Sequence, residues 1–137
     1  MPLLPLVSDN GRIMVVDDEF DILMIIRRYL EKWGYIVDTF TNPLYAYQIF
    51  KGNPDRYSLV LTDIRMPEMT GIRLANLLLE IRPETKVVIM TAYEVTPDEL
   101  HSQLPTITHN EILQKPFRLA QICNAVKKQL ATNKTTV

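Results

Sequence analysis

Short, wholly apolar runs alternate along this chain with longer stretches whose apolar residues recur every three or four positions. Arg12–Val16 (RIMVV) reads as a buried strand that stops abruptly at Asp17. From Glu19 to Trp33, the residues Ile22, Ile26, Tyr29, Leu30 and Trp33 mark one helical face, and Gly34 stands where a left-handed C-terminal cap is wanted. Tyr35–Phe40 (YIVDTF) is rich in β-branched and aromatic residues and predicts a second strand. Asn42-Pro43 is an N-cap with proline at the first helical position, opening a helix that runs to about Lys51. After the turn chemistry of GNPDRY, Ser58–Thr62 (SLVLT) is a third strand that delivers Asp63 at its end. Leu74, Leu77, Leu78 and Ile81 then mark a helix face, closed by Pro83. Lys86–Met90 (KVVIM) is the fourth strand, ending at Thr91. Thr96, with Glu99 three residues on, predicts a capping box and a short helix that Pro105 stops early. Glu111–Gln114 (EILQ) predicts a fifth strand before Lys115-Pro116, and Leu119, Ile122, Cys123, Val126 and Leu130 line the last helix.

The order is therefore strand then helix, five times over. Strands that are apolar along their whole length belong to a parallel sheet covered on both faces by helices. The expected fold is α/β: a five-stranded, doubly wound parallel sheet of flavodoxin-like order 2-1-3-4-5, with its ligand site at the carboxyl ends of the strands. At 137 residues the chain is one domain. Residues 1–11 are expected to be a flexible leader, 12–131 the folded domain and 132–137 a flexible tail.

Charge removes several classes of function. Fifteen Lys plus Arg against sixteen Asp plus Glu leave a formal charge of −1, so no basic excess exists to neutralise a nucleic-acid backbone. One Cys and two His build neither a structural zinc site nor a disulfide framework, and Cys123 suggests a reducing, cytoplasmic setting. No apolar run reaches the roughly 18 residues a membrane span needs, so no membrane insertion is expected.

The chemistry follows from what stands at the strand ends. Strand one ends in Asp17-Asp18-Glu19, strand three in Asp63, strand four in Thr91 and strand five in Lys115. If strands one and three are neighbours, Asp17, Asp18 and Asp63 converge on one pocket. Three carboxylates repel one another unless a cation neutralises them, and oxygen-only ligands favour a hard ion such as Mg²⁺. A lysine ammonium and a threonine hydroxyl beside that ion suit a transferred phosphoryl group, and a carboxylate there can itself be the nucleophile.

VVDDE at 15–19, the run from Asp63 through Met66-Pro67 to Gly71, Met90-Thr91-Ala92 and Lys115-Pro116-Phe117 together resemble a response-regulator receiver domain, over roughly residues 12–130. The resemblance implies that Asp63 is the phosphoacceptor, taking its phosphoryl group from a sensor histidine kinase or phosphotransfer protein. It implies Asp18 and Asp63 as direct Mg²⁺ ligands, the backbone carbonyl of Arg65 as a third, and Asp17 as an acid that holds the metal largely through water. Lys115 matches the lysine that pairs with the phosphate, and its bond to Pro116 is cis in the family. Thr91 matches the switch hydroxyl that moves toward the phosphate. The implied product is a conformational state read by a downstream protein, and self-catalysed phosphorylation and dephosphorylation are the only enzymic character. Many members pair through the fourth helix, fifth strand and fifth helix, which leaves a phosphorylation-dependent homodimer open. With the chain filled by five strand–helix units, a stand-alone regulator without a DNA-binding output is expected.

Two positions depart from the family pattern. Ile112 occupies the place three before the lysine where a Tyr or Phe usually stands, and the stretch from Thr91 to Lys115 is about two residues longer than usual. The fourth helix is expected to be short. Arg65 and Tyr93, two residues after Asp63 and Thr91, are expected to slow hydrolysis of the aspartyl phosphate.

Plainer roles compete with these. Asp17-Asp18 would also suit a helix N-terminus, Thr91 an ordinary strand position and Lys115 a solvated surface. His101 and His109 read as exposed, Cys123, Tyr29 and Trp33 as core, and Lys127, Lys128 and Lys134 as a solvated helix end. A pseudo-receiver, acting as a phosphorylation-independent interaction module, is the alternative function. A nucleotide-binding enzyme or flavin carrier lacks a glycine-rich phosphate cradle after strand one.

Overall fold

The computed structural model describes residues 11–92, 96–105 and 112–132. Its strands are β1 (Arg12–Val16), β2 (Ile36–Phe40), β3 (Leu59–Asp63), β4 (Lys86–Thr91) and β5 (Ile112–Gln114). Its helices are α1 (Phe20–Lys32), α2 (Pro43–Gly52), α3 (Gly71–Ile81), α4 (Pro97–Gln103) and α5 (Leu119–Thr132), with a 3₁₀ turn at Pro54–Arg56. The residues read as leader lie outside the described ones up to 10, as do 133–137 of the tail, Tyr93, His109 and Lys134.

Local chemistry accounts for most element ends. The Asn42 side chain accepts from the amides of Leu44 (2.8 Å) and Tyr45 (3.4 Å) and starts α2. Thr70 accepts from the Arg73 amide at 3.1 Å to start α3. At α4 the capping box is complete, with the Thr96 amide donating to Glu99 Oε1 (2.9 Å) and the Glu99 amide to Thr96 Oγ1 (3.1 Å). That helix ends after seven residues because Leu104, which precedes Pro105, is forced out of the helical region to φ −135°, ψ 79°. Gly34 takes φ 94° past the end of α1, the left-handed conformation that glycine adopts without steric cost.

The five strands are all parallel and run in the order β2-β1-β3-β4-β5. Successive residues of each strand face opposite sides, so the sheet feeds two cores. Ile13, Val15, Leu59, Leu61, Val88 and Met90 pack under Leu23, Ile26 and Leu30 of α1 and Ile122 and Val126 of α5. Met14, Val16 and Val60 pack under α2 and α3 through Ala46, Phe50, Leu74 and Leu78. Val87 and Ile89 meet Ala75 of α3, Leu100 of α4 and Leu104 just past its end, with Ile112 half-buried against them. This is the doubly wound arrangement expected from the uninterrupted apolar strands. Truncating one of these fully buried leucines costs about 2–5 kcal/mol, a large part of a small domain's stability.

Trp33 departs from its expected place in the core. It is 48% exposed, and the Lys127 ammonium sits 4.4 Å from its ring centroid. The stripe on α1 is carried instead by Leu23, Ile26 and Leu30, while Ile22 and Tyr29 are half-buried. Trp33 is the cap residue, at φ −96° and ψ 10°, where the chain leaves helical geometry and its side chain leaves the stripe. Lys127 is correspondingly a ring-contacting cation rather than a purely solvated one. No helix among the described residues is long and apolar enough to cross a membrane.

Candidate functional site

The register of the sheet assembles the site. Val16 of β1 is paired with Thr62 of β3, so Asp17 and Asp63 come next on adjacent strands. Asp63 in turn pairs with Met90, and Thr91 of β4 with Gln114 of β5, which sets Thr91 and Lys115 beside them. The Lys115 amide donates to the Thr91 carbonyl at 2.7 Å, and the Lys115–Pro116 bond is cis. A cleft of about 280 Å³ is lined by Asp18, Glu19, Asp63, Arg65, Thr91, Ala92 and Lys115.

Carboxylate oxygens of Asp17, Asp18 and Asp63 lie within 4.8 Å of one another. Asp17 is fully buried, Asp63 and Thr91 are buried, and Asp18 and Arg65 are exposed. The Lys115 ammonium reaches both inner acids, 3.4 Å from Asp63 Oδ1 and 3.5 Å from Asp17 Oδ2. The Glu19 amide donates to Asp17 Oδ1 at 2.9 Å, whereas Asp17 Oδ2 is buried with no hydrogen-bond partner.

These placements strain the charges. Burial pushes the Asp17 carboxyl up to about 6, against the Glu19 amide bond and with added repulsion from Asp63. Burial likewise raises Asp63, opposed by Lys115. Burial works against the Lys115 ammonium, but Asp17 and Asp63 outweigh it and raise its pKa. One lysine thus faces three acids. A buried carboxylate oxygen that makes no hydrogen bond, within a cluster of hard oxygen donors, fits a divalent ion such as Mg²⁺.

All five side chains singled out in the sequence (Asp17, Asp18, Asp63, Thr91 and Lys115) meet at this one edge, and Arg65 stands at its rim. Sequence reasoning missed two supports. The Glu19 amide holds Asp17, and the Thr62 hydroxyl donates to the Asp63 carbonyl at 3.0 Å. The Glu19 amide could have been guessed from its place two residues after Asp17, whereas a threonine inside a strand carries no signal that its hydroxyl holds the next carbonyl.

Fold and site together define a doubly wound signalling-type domain whose acid cluster and lysine share the switch point of the sheet. The chain belongs to the response regulator receiver domain family, whose model matches residues 13–127. It is 37% identical over 119 residues to the response regulator receiver protein CpdR of Brucella abortus, covering 87% of this chain and 96% of that one. It is 36% identical over 123 residues to sporulation initiation phosphotransferase F of Bacillus subtilis, covering 88% and 94% respectively. A response regulator receiver domain protein from Clostridium thermocellum superposes with a TM-score of 0.82 at 26% identity, over 93% of this chain and 99% of that one. Receiver domains are phospho-accepting modules of two-component signalling rather than enzymes in the ordinary sense, and they interact with histidine kinases or phosphotransfer proteins.

Proposed function

We propose that Asp63 is the phosphoacceptor of this receiver. An Asp63 carboxylate oxygen forms a bond to phosphorus while the P–N bond of a donor phosphohistidine breaks, and the electron pair returns to the imidazole nitrogen. The observation that carries this reading is the Asp63 carboxylate, set at the end of β3 with Lys115 at 3.4 Å and two further acids beside it. Asp18, Asp63 and the Arg65 carbonyl would hold Mg²⁺ directly, and Asp17 largely through water. The ion supplies positive charge to the phosphoryl oxygens. Lys115 pairs with the bound phosphoryl group, and Thr91 turns its hydroxyl toward it, carrying the loop beyond β4 along.

The donor in this reading is a sensor histidine kinase or phosphotransfer protein, and the receptor of the signal is a separate downstream protein. Coverage of 96% and 94% of two relatives supports a receiver acting on its own, over residues 12–131. The buried thiol of Cys123 suits a cytoplasmic setting.

Incubation with Mg²⁺ and acetyl phosphate, followed by intact mass, tests the assignment. The expected result is a gain of about 80 Da, one phosphoryl group, that disappears in Asp63→Asn. No gain and no Mg²⁺ binding would instead identify a phosphorylation-independent interaction module. Trp33 is a poor optical reporter for this, because it lies at the far end of the 13-residue α1 from the site.

A further inference from the structure

We infer that Gly71 is a positioning residue for the phosphoacceptor, holding the Asp63–Ile64 peptide in place through close backbone contact; this rests on the reading of Asp63 given above. Gly71 is the first residue of α3, eight positions after Asp63 in the chain. Its amide donates to the Ile64 carbonyl at 2.8 Å. A Cβ built on Gly71 would collide with the carbonyl of Asp63 and would meet the Ile64 Cα at 3.1 Å.

Conformation does not require glycine at this position. The positive-φ glycines among the described residues are Gly11 and Gly34, and Gly71 is not one of them. Alanine is the better helix former, so local propensity favours replacing Gly71. The single requirement that glycine meets is space against the phosphoacceptor's own backbone.

Neither side of this contact can retreat easily. On the helix side, Met66 is buried and anchors the loop in the core beneath α2 and α3. The Met69 amide then donates to the Pro67 carbonyl at 2.7 Å around Glu68, which stands at φ 73°. That is a γ-turn of the rare positive-φ kind, a tight and strained connection with no slack to give. The Thr70 cap follows directly. On the sheet side, the Ile64 amide donates to the Met90 carbonyl at 3.1 Å, and the Thr62 hydroxyl to the Asp63 carbonyl at 3.0 Å. A side chain at position 71 therefore displaces the Asp63–Ile64 peptide, and with it the carboxylate that Lys115 faces.

The test compares Gly71→Ala with Thr70→Ala, which removes the α3 cap without touching Asp63. Urea unfolding, Mg²⁺ titration by calorimetry and phosphorylation by acetyl phosphate are measured on both and on the parent chain. Gly71→Ala is expected to weaken Mg²⁺ binding roughly tenfold or more, in the range typical of residues that orient metal ligands. Its phosphorylation rate should fall in parallel, while Thr70→Ala loses stability but keeps both. A folded Gly71→Ala with Mg²⁺ affinity and rate within about twofold of the parent overturns the inference, as does an equal loss in Thr70→Ala. Should Gly71→Ala fail to fold, hydrogen exchange in the parent decides. Saturating Mg²⁺ should slow exchange of the Gly71 amide, and an unchanged rate overturns the inference. A parent that neither binds Mg²⁺ nor gains the phosphoryl mass overturns the Asp63 assignment and this inference together; a parent that does both, beside an unaffected Gly71→Ala, overturns this one alone.

Discussion

Two acid-centred clusters stand on this sheet, and they are solved in opposite ways. At the carboxyl ends, three carboxylates gather while Lys115 pairs with two of them, and Asp17 Oδ2 is buried without a hydrogen bond. Toward the amino ends, Asp38 of β2 is a single acid among several donors. Arg12 donates to both its oxygens at 3.1 Å, the Tyr57 hydroxyl donates at 2.7 Å, and the Arg56 guanidinium lies 3.7 Å away. The Asp38 cluster is closed within the chain and ties β1, β2 and the entry to β3 together. The Asp63 cluster holds more acids than cations, an excess that the proposed Mg²⁺ would balance. The same residue types make a clamp where donors match acceptors and a binding site where they do not.

The sharpest way to break this comparison is Asp63→Asn, which removes the proposed nucleophile; the expected outcome is complete loss of the acetyl-phosphate mass gain with the fold intact by circular dichroism. Asp38→Asn should do the reverse, lowering urea-unfolding stability by about 1–3 kcal/mol while phosphorylation proceeds. Asp17→Asn sharpens the contrast, because it removes a carboxylate from a crowded cluster. The metal-free protein should gain roughly 1–2 kcal/mol while Mg²⁺ affinity falls, so stability and binding move in opposite directions.

The clamp has its own pH signature. Burial, and then the bond to Asp38, hold the Tyr57 phenol well above its usual value. The folded chain keeps that proton where the unfolded chain releases it, near pH 10. The contribution is therefore fully present below pH 10 and is lost as pH rises beyond it. Tyr57→Phe should lower stability at neutral pH by about 1 kcal/mol and flatten the alkaline loss, measured by urea unfolding from pH 8 to 11. The smallest effect is expected at the rim. Arg65→Ala should shorten the aspartyl-phosphate lifetime by a few-fold, on the order of 1 kcal/mol or less in barrier, and an unchanged lifetime would show that the Arg65 side chain does not slow hydrolysis.

Much of the site was legible because its residues sit where apolar runs break. Asp17, Asp63 and Thr91 each follow or close a run of buried strand residues, Lys115 follows the short, partly buried β5, and a parallel sheet brings such ends to one edge. Ile112 was legible as a departure from the family pattern, and it packs half-buried against Leu100 and Leu104. Trp33 was misplaced because a periodic pattern extrapolated one residue past the helix assigns a face the backbone no longer presents. The Asp38 clamp was not legible, since Arg12, Asp38, Arg56 and Tyr57 share no spacing that marks them as partners.

By itself the sequence determined element types, caps, the two apolar layers and the polar residues standing at strand ends, because these depend on periodicity and on neighbours a few residues away. Only the tertiary structure decided that Val16 faces Thr62 and so brings Asp17 beside Asp63, that Gly71 rests on the Asp63 carbonyl, and that one buried carboxylate oxygen is left without a hydrogen bond. Those are contacts between segments distant in the chain. Their geometry is set by strand register and packing, which no local pattern encodes.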